Sequence, residues 1–280
     1  GKHFLVSAGE HPARITTAKE LMKRGFEVPF AEVDEYGAVD LEKLERAIRP
    51  DTTFVSVMTA NNEVGTVQPV KEIAALCKKK GVLLFTDAVQ AAGALRLDVK
   101  ELGADMLSFS AHKFYGPKGV GVLYIRSGLK IDKIVTGGHQ ERSMRGGTTN
   151  VPAVVGLAEA LRLAVSELDE NAAYVSSLRD RFIRRVQREI PFVKLNGHPE
   201  NRLPANANFS FRYVEGESLL FSLDLKGIAV SSGSACSSGS LEPSHVLLAM
   251  GLPEGLAHGS LRFSFGRPHP AAAAAHAVHA

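Results

Sequence analysis

The chain has 280 residues, of which 45% are hydrophobic and 22% charged, as in an ordinary soluble globular protein. Its 33 basic and 30 acidic residues leave a net charge of +3, which argues against a dedicated nucleic-acid-binding protein. No apolar run is long enough to span a bilayer, and two cysteines far apart in the chain form neither a disulfide framework nor a zinc pair. We therefore expect a cytoplasmic protein with no nucleic-acid partner, no membrane segment and no metal site.

Short apolar runs alternate with amphipathic segments through the first part of the chain. The apolar runs, which we predict to be strands, are 3–7, 26–33, 52–60, 82–88, 105–111 and 119–125. The amphipathic segments, which we predict to be helices, are 11–25, 40–48 and 70–81. Strands separated by helices predict βαβ units and therefore a mainly parallel sheet that is covered on both faces.

The pattern changes after Val151. Apolar residues at helical spacing predict a long helix over 151–190, broken once, and the alanine-rich tail also favours a helix. Strand-like runs follow at 206–214, 227–233 and 259–266, and 246–251 is typical of a short helix that ends at a glycine. We predict two domains: a large domain over 1–165 and a smaller α+β domain over 166–280.

Three of the predicted strands end in residues that can take part in chemistry. The sequences at these ends are TANNEVG (59–65), TDAVQ (86–90) and SFSAHKFYGPKG (108–119). In a parallel sheet, ligands bind outside the carboxyl ends of the strands. We therefore expect one crevice that is lined by Asn62, Asp87, Gln90, Ser110, His112 and Lys113.

A lysine, an acid and small hydroxyl and amide donors suit Schiff-base chemistry with pyridoxal 5'-phosphate. The lysine binds the aldehyde as an imine, and the carboxylate keeps the pyridine ring protonated as an electron sink. Taken alone, Lys113 is typical of a surface lysine and Asp87 of a turn-forming aspartate. Their order along the chain, each directly after an apolar strand, favours the cofactor site.

Seven short motifs occur in the order in which one enzyme family has them. They are EH (10–11), NNEVG (61–65), DAVQ (87–90), SFSAHKFYGPKG (108–119), GGHQERSMRGGTTN (137–150), SSGSAC (231–236) and LRFSFGR (261–267). With these motifs the chain resembles cysteine desulfurases of the NifS/IscS type over residues 1–267. The resemblance implies the α/β architecture of fold type I pyridoxal-phosphate enzymes, which is that of aspartate aminotransferase and the class V aminotransferases. Its large domain would bind the cofactor, and its small domain would carry a mobile cysteine loop.

The resemblance assigns cofactor roles to residues of the predicted crevice. Lys113 matches the lysine that carries pyridoxal phosphate, and Asp87 matches the partner of the pyridine nitrogen. Gln90 matches the hydrogen-bond donor to the ring hydroxyl. His11 matches an imidazole that stacks on the ring and moves protons, although by position alone it could be an exposed histidine at a helix start.

Further matches concern the cofactor phosphate and the substrate. Ser110 and His112 match ligands of the phosphate. Thr148 matches a threonine that reaches the phosphate in the neighbouring subunit, so the resemblance implies a homodimer. Asn62, at the edge of the cofactor, and Arg262 match the pair that holds the substrate carboxylate, a task that suits a bidentate guanidinium.

Cys236 lies in a serine- and glycine-rich stretch, SSGSACSSGS, that offers no core. By resemblance it is the nucleophile that takes sulfur from L-cysteine, keeps it as a persulfide and leaves L-alanine. The small residues around it would let it reach an outside sulfur acceptor, such as a scaffold protein for iron–sulfur cluster assembly. Cys77, by contrast, lies on the amphipathic helix 70–81, where a small core residue is expected.

Two alternatives remain open at this point. A selenocysteine lyase would use the same fold and cofactor. The family also has a stretch before this chain's residue 1 that helps to hold the phosphate, so the sequence leaves room for a non-catalytic scaffold subunit. Lys113, Asp87, Cys236 and Arg262 occur together, which favours the desulfurase.

Overall fold

The computed structural model describes residues 1–232 and 242–279. The strands are β1 (His3–Ser7), β2 (Phe30–Ala31), β3 (Thr52–Ser56), β4 (Leu83–Asp87), β5 (Met106–Ser110), β6 (Gly121–Ile125), β7 (Val193–Asn196), β8 (Asn206–Phe211), β9 (Ser231–Ser232) and β10 (Ser260–Ser264). The helices are α1 (Pro12–Lys23), α2 (Leu41–Ala47), α3 (Val70–Lys80), α4 (Val99–Leu102), α5 (Gln140–Ser143), α6 (Val151–Ser166), α7 (Leu168–Glu189), α8 (Gly216–Leu225), α9 (His245–Ala249), α10 (Glu254–His258) and α11 (Ala271–His279). A 3-10 turn covers Ala111–Phe114.

The first sheet has the strand order β2-β1-β3-β4-β5-β6. Its first five strands run parallel and β6 is antiparallel to β5, so the predicted mainly parallel sheet is confirmed. Buried aliphatic side chains of β1, β3, β4 and α3 form its main core. Cys77 belongs to this core with 1% of its surface exposed, as the sequence predicts.

The second strand is much shorter than the predicted run 26–33. Only Phe30–Ala31 pairs as a strand with β1, and Glu27 and Val33 make isolated bridges. Pro29 interrupts the run, and because proline has no N–H group, it cannot donate a ladder hydrogen bond. Five other predicted strands also end one to four residues early, where the chain bends towards the loops: 52–60, 82–88, 105–111, 206–214 and 259–266. The strands predicted over 3–7 and 119–125 end as predicted.

The second sheet is antiparallel, with the strand order β7-β8-β10-β9. Helix α7 covers it through Phe182, whose ring contacts those of Phe209 and Phe263 at centroid distances of 6.0 and 4.7 Å. The predicted break in the helix over 151–190 lies at Glu167, between α6 and α7. Strand β7 and helix α8 lie where the sequence analysis assigned no element.

In the part of the chain that the structure describes, no helix is both long enough and apolar enough to cross a membrane.

Candidate active site

The carboxyl ends of three neighbouring strands form the base of the candidate site. Strands β3, β4 and β5 lie side by side, in the register Ser56↔Phe85 and Asp87↔Ser108. The N–H of Thr59, in the segment that follows β3, donates to the carbonyl oxygen of Asp87 at 2.8 Å. The polar sequences that follow these strands therefore meet at one edge of the sheet, as predicted.

Asp87 is the last residue of β4 and is 9% exposed. Its Oδ1 accepts a hydrogen bond from the N–H of Val89 at 2.9 Å, which orients the carboxyl group at the turn. Gln90 follows in the same turn and is half-buried. An oriented carboxylate at a strand end can meet a cationic ring nitrogen without rearrangement of the backbone.

Ser110 ends β5, and His112 and Lys113 follow on the 3-10 turn. The turn closes at Tyr115, which has a φ of 66°, in the left-handed region. Both His112 and Lys113 are exposed, and within residues 1–232 and 242–279 the Lys113 ammonium has neither a hydrogen bond nor an ion pair. Its amine is thus available for covalent chemistry.

His11 caps α1 at the mouth of the same site. Its Nδ1 accepts a hydrogen bond from the N–H of Ala13 at 3.2 Å, so the imidazole holds the start of the helix. Burial lowers the pKa of His11, the charge of Asp87 raises it, and the cationic Lys113 lowers it further. A lowered pKa leaves a neutral imidazole that can accept a proton at neutral pH.

The two asparagines of the NNEVG sequence make different hydrogen bonds. Asn61 folds the turn: its Oδ1 accepts from the N–H groups of Glu63 and Val64 at 2.8 and 2.9 Å. The carbonyl oxygen of Asn62 accepts from Nη1 of Arg262 at 2.9 Å. The Oδ1 of Asn62 is buried without a hydrogen-bond partner among the described residues. Asn62 and Arg262 are therefore in contact, and the Oδ1 of Asn62 can accept from a ligand group that donates a hydrogen bond.

Two other predicted residues lie apart from this group. Thr148 is exposed and has no hydrogen bond to the strand-end residues in the part of the chain that the structure describes. It follows α5, in which Glu141 and Arg142 have positive φ angles of 49° and 56°. Cys236 lies outside the described residues.

The sequence analysis missed Glu10, a buried acid whose pKa the charge of Asp87 affects. Glu10 is fully buried, and neither of its carboxyl oxygens has a hydrogen-bond partner among the described residues. Burial, with a contribution from the charge of Asp87, raises the pKa of Glu10 to about 8, although Arg14 and the backbone of Met58 hold it down. The guanidinium of Arg14 lies 3.9 Å from the ring centroid of Phe85. Glu10 belongs to the EH motif, but no sequence pattern distinguishes a buried glutamate there from an exposed one.

Glu63 is the second buried acid that sequence reasoning missed. It is 1% exposed and accepts a hydrogen bond from the hydroxyl of Ser244. Burial raises the pKa of Glu63 to about 7, while that hydrogen bond and the charge of Arg262 hold it down. It directly follows the two asparagines of NNEVG, and no local pattern distinguishes a buried glutamate there from an exposed one.

Sequence comparisons place the chain among enzymes of one family. The class V aminotransferase profile matches residues 1–272. The cysteine desulfurase IscS of Dictyoglomus turgidum is 52% identical over 266 residues, which are 95% of this chain and 68% of that protein. The mitochondrial cysteine desulfurase of Saccharomyces cerevisiae is 48% identical over 268 residues, which are 95% of this chain and 53% of that protein.

Solved structures agree with the sequence comparisons. A NifS-like protein superimposes with a TM-score of 0.91 at 38% identity, over 99% of this chain and 73% of that one. DndA from Streptomyces lividans superimposes with a TM-score of 0.80 at 36% identity, over 95% of this chain and 75% of that one. The fold is therefore that of the fold type I pyridoxal-phosphate enzymes, as predicted.

Enzymes of this family use pyridoxal 5'-phosphate, and the residues at the strand ends fit it. Asp87 offers a carboxylate for the pyridine nitrogen, Gln90 an amide for the ring hydroxyl, and Lys113 an amine for the aldehyde. Ser110 and His112 offer a hydroxyl and an imidazole to the phosphate. Fold, donor set and comparisons agree: the chain belongs to the class V aminotransferase family, among the cysteine desulfurases of the IscS/NifS type.

Proposed function

We propose that this chain converts L-cysteine to L-alanine and keeps the sulfur as a persulfide on Cys236, for transfer to an acceptor. The observation that carries the proposal is the meeting of Asp87, the 3-10 turn of Lys113 and the Asn62–Arg262 contact at one sheet edge. The relatives described above are named cysteine desulfurases. A selenocysteine lyase and a non-catalytic subunit gain no such support.

We assign cofactor binding to residues at the strand ends and to His11, the N-cap of α1, which would stack on the pyridine ring. Lys113 would bind the aldehyde carbon, Asp87 would keep the pyridine nitrogen protonated, and Gln90 would donate to the ring hydroxyl. Ser110 and His112 hold the phosphate. When bound, pyridoxal phosphate supplies an electron sink for the pair of electrons left at the substrate α-carbon on deprotonation.

The substrate carboxylate is assigned to Arg262 and Asn62. Arg262 already donates to the carbonyl oxygen of Asn62, so its guanidinium is oriented before the substrate arrives. A planar guanidinium donates two parallel hydrogen bonds to a carboxylate and fixes the amino acid in one orientation. His11, kept neutral by burial, takes up or returns a proton on the substrate side.

Cys236 is assigned the transfer of sulfur. Its thiolate attacks the sulfur of the substrate, so that an S–S bond forms as the Cβ–S bond breaks. The carbon skeleton takes up a proton and leaves as alanine. One cysteine molecule thus yields one alanine and one persulfide, with no external oxidant or reductant. The persulfide sulfur then passes to an acceptor thiol, for example on a protein that assembles iron–sulfur clusters.

We further propose a homodimer in which Thr148 completes the phosphate site of the partner subunit. Exposed apolar side chains support an interface near it: Ile134 is 96% exposed, and Val151 and Val155 are 59% and 61% exposed. Mixing Thr148→Ala subunits with Lys113→Ala subunits tests this. Each mixed dimer retains one intact composite site, so activity should exceed that of either variant alone.

The domain boundary and the cellular setting are part of the same proposal. We divide the chain at residues 165 and 166, next to the helix break at Glu167, into a cofactor-binding domain and a smaller domain that carries Cys236. A reducing cytoplasm suits an enzyme that must keep one reactive thiol unpaired.

The test of the proposed function is an absorbance spectrum of the holoenzyme before and after addition of L-cysteine. The cofactor band should shift, and alanine and, under reductant, sulfide should appear in equal amounts. Cys236→Ala should keep the spectral shift and lose sulfide release. Cys77→Ala is the matched control and should keep both. Sulfide release by Cys236→Ala would contradict the assignment of the nucleophile.

A further inference from the structure

The turn formed by NNEVG contacts the small-domain sheet on one side. The carbonyl oxygen of Glu63 accepts from the Nδ2 groups of Asn206 and Asn208, both on β8, at 3.0 and 3.1 Å. The approach is close: Gly65 has a φ of 81°, and a Cβ there would lie 2.8 Å from Oδ1 of Asn206. The turn is therefore held rigidly against the second sheet.

The side chain of Glu63 binds a different part of the chain. Its Oε2 accepts from the hydroxyl of Ser244, which is 4% exposed. The same hydroxyl accepts from the N–H of Leu247 at 3.3 Å and so caps α9. One residue later, Nε2 of His245 donates to the carbonyl oxygen of Glu10 at 2.9 Å. Two neighbouring residues, Ser244 and His245, thus attach the start of α9 to the large domain.

The described residues before and after Cys236 both lie close to Asn62 and Arg262, the pair assigned to the substrate carboxylate. Before it, β9 pairs with β10, and Ser231 lies opposite Arg262. After it, Ser244 binds Glu63, the residue that follows Asn62. The chain is therefore held at Ser231 and at Ser244, on either side of Cys236, beside the residues assigned to the substrate carboxylate.

We propose that Glu63 is a positioning residue for sulfur transfer: through Ser244 it fixes the point at which the chain rejoins the fold after Cys236. This inference rests on the proposed role of Cys236 as the sulfur acceptor. Glu63 touches neither substrate nor cofactor in this account, and its effect on Cys236 passes through Ser244. Small displacements of a reacting group cost large factors in rate, so a fixed attachment point beside the substrate matters.

The burial of Glu63 makes its hydrogen bond to Ser244 hard to replace. Loss of the carboxyl leaves the hydroxyl of Ser244 without its acceptor in a site that water does not reach, which weakens the attachment. Glutamine at position 63 keeps an oxygen that can accept from Ser244, whereas alanine does not. The pair Glu63→Gln and Glu63→Ala therefore separates the hydrogen bond from the charge and the volume of the side chain.

The experiment is a single turnover of the holoenzyme with L-cysteine, followed in two phases. The first phase is the change in cofactor absorbance, and the second is the formation of alanine and persulfide on Cys236. Glu63→Ala and Ser244→Ala should slow the second phase by about tenfold and leave the first phase within about twofold of wild type. In a separate steady-state assay, KM for L-cysteine should also stay within about twofold of wild type. Glu63→Gln should restore the second phase to within about twofold, and the double alanine variant should be no slower than either single one.

Asp40→Ala is the matched control, because Asp40 caps α2 through the N–H of Lys43 as Ser244 caps α9. It should leave both phases unchanged. A wild-type second phase in Glu63→Ala would overturn the proposal. Equal slowing of both phases without rescue by Glu63→Gln would overturn it as well, because it would indicate general damage to the fold.

A second readout is independent of sulfur chemistry. Amide hydrogen exchange of the peptide that covers 242–249 should be faster in Glu63→Ala than in wild type, and close to wild type in Glu63→Gln. If wild-type protein formed no alanine, the proposed function would fail, and the exchange measurement would still decide whether Glu63 holds Ser244. Unchanged exchange in Glu63→Ala would refute that attachment.

Discussion

The buried carboxyl of Glu10 makes the stability of the fold depend on pH in a predictable direction. Glu10 is fully buried, and burial, with a contribution from Asp87, raises its pKa from 4.5 to about 8. A carboxyl group with a raised pKa binds its proton more tightly in the folded state than in the unfolded state. Its contribution to stability is therefore complete below pH 4.5 and is lost as the pH rises to about 8.

The size of the effect follows from the same two values. At about 1.4 kcal/mol for each pH unit between them, the folded state should lose about 5 kcal/mol of stability from this one group. Glu10→Gln removes the ionisable group and keeps its volume. As the pH rises from well below 4.5 to above 8, wild type should therefore lose about 5 kcal/mol of unfolding free energy relative to Glu10→Gln.

The assay is urea unfolding of the cofactor-free protein at a series of pH values. Tyrosine fluorescence and far-UV circular dichroism should give coincident transitions, which justifies a two-state free energy. Glu35→Gln, which removes an exposed carboxyl group from a turn, is the control and should give a curve parallel to wild type. Parallel curves for wild type and Glu10→Gln would refute the reasoning, because Glu10 would then ionise as it does in water.

Three further predictions concern single residues. Burial raises the pKa of the Cys77 thiol to about 12, so iodoacetamide at pH 8 should label Cys236 and leave Cys77 unmodified until the protein is denatured; native labelling of Cys77 would contradict the structure. Phe182→Ala should lower the unfolding free energy by about 3–5 kcal/mol, since the ring is 1% exposed, whereas Phe192→Ala, at 65% exposure, should cost less than about 1 kcal/mol in the same denaturation assay. Arg262→Lys should raise KM for L-cysteine about tenfold, because an ammonium group does not bind a carboxylate through two parallel hydrogen bonds; an unchanged KM would remove Arg262 from substrate binding.

Local patterns were sufficient to predict the elements that hold the site. The strand 3–7, the helix that Asp40 caps and the strand that ends at Asp87 all have apolar periodicity and clear end signals. Because the carboxyl ends of parallel strands share one edge, the order of the strands predicts that their polar ends meet there, and the structure has β3, β4 and β5 side by side. The same reasoning did not give the true length of β2, since Pro29 lacks an N–H group and interrupts an otherwise apolar run.

Tertiary contacts account for what the sequence could not reveal. Glu10 and Glu63 are charged residues that a local pattern assigns to the surface, yet both are buried. Their environment is supplied by residues far away in the chain: His245 binds the backbone of Glu10, and Ser244 binds Glu63. Helix α8 was missed for a related reason, because its apolar residues do not form a single buried face: Leu225 is 89% exposed.

The most direct test of the account is peptide mapping of the holoenzyme by mass spectrometry after one turnover with L-cysteine and no reductant. The account predicts a mass gain of one sulfur atom on the peptide that contains Cys236, in an amount equal to the alanine formed, and none on the peptide that contains Cys77. Alanine without sulfur on Cys236 would contradict the account.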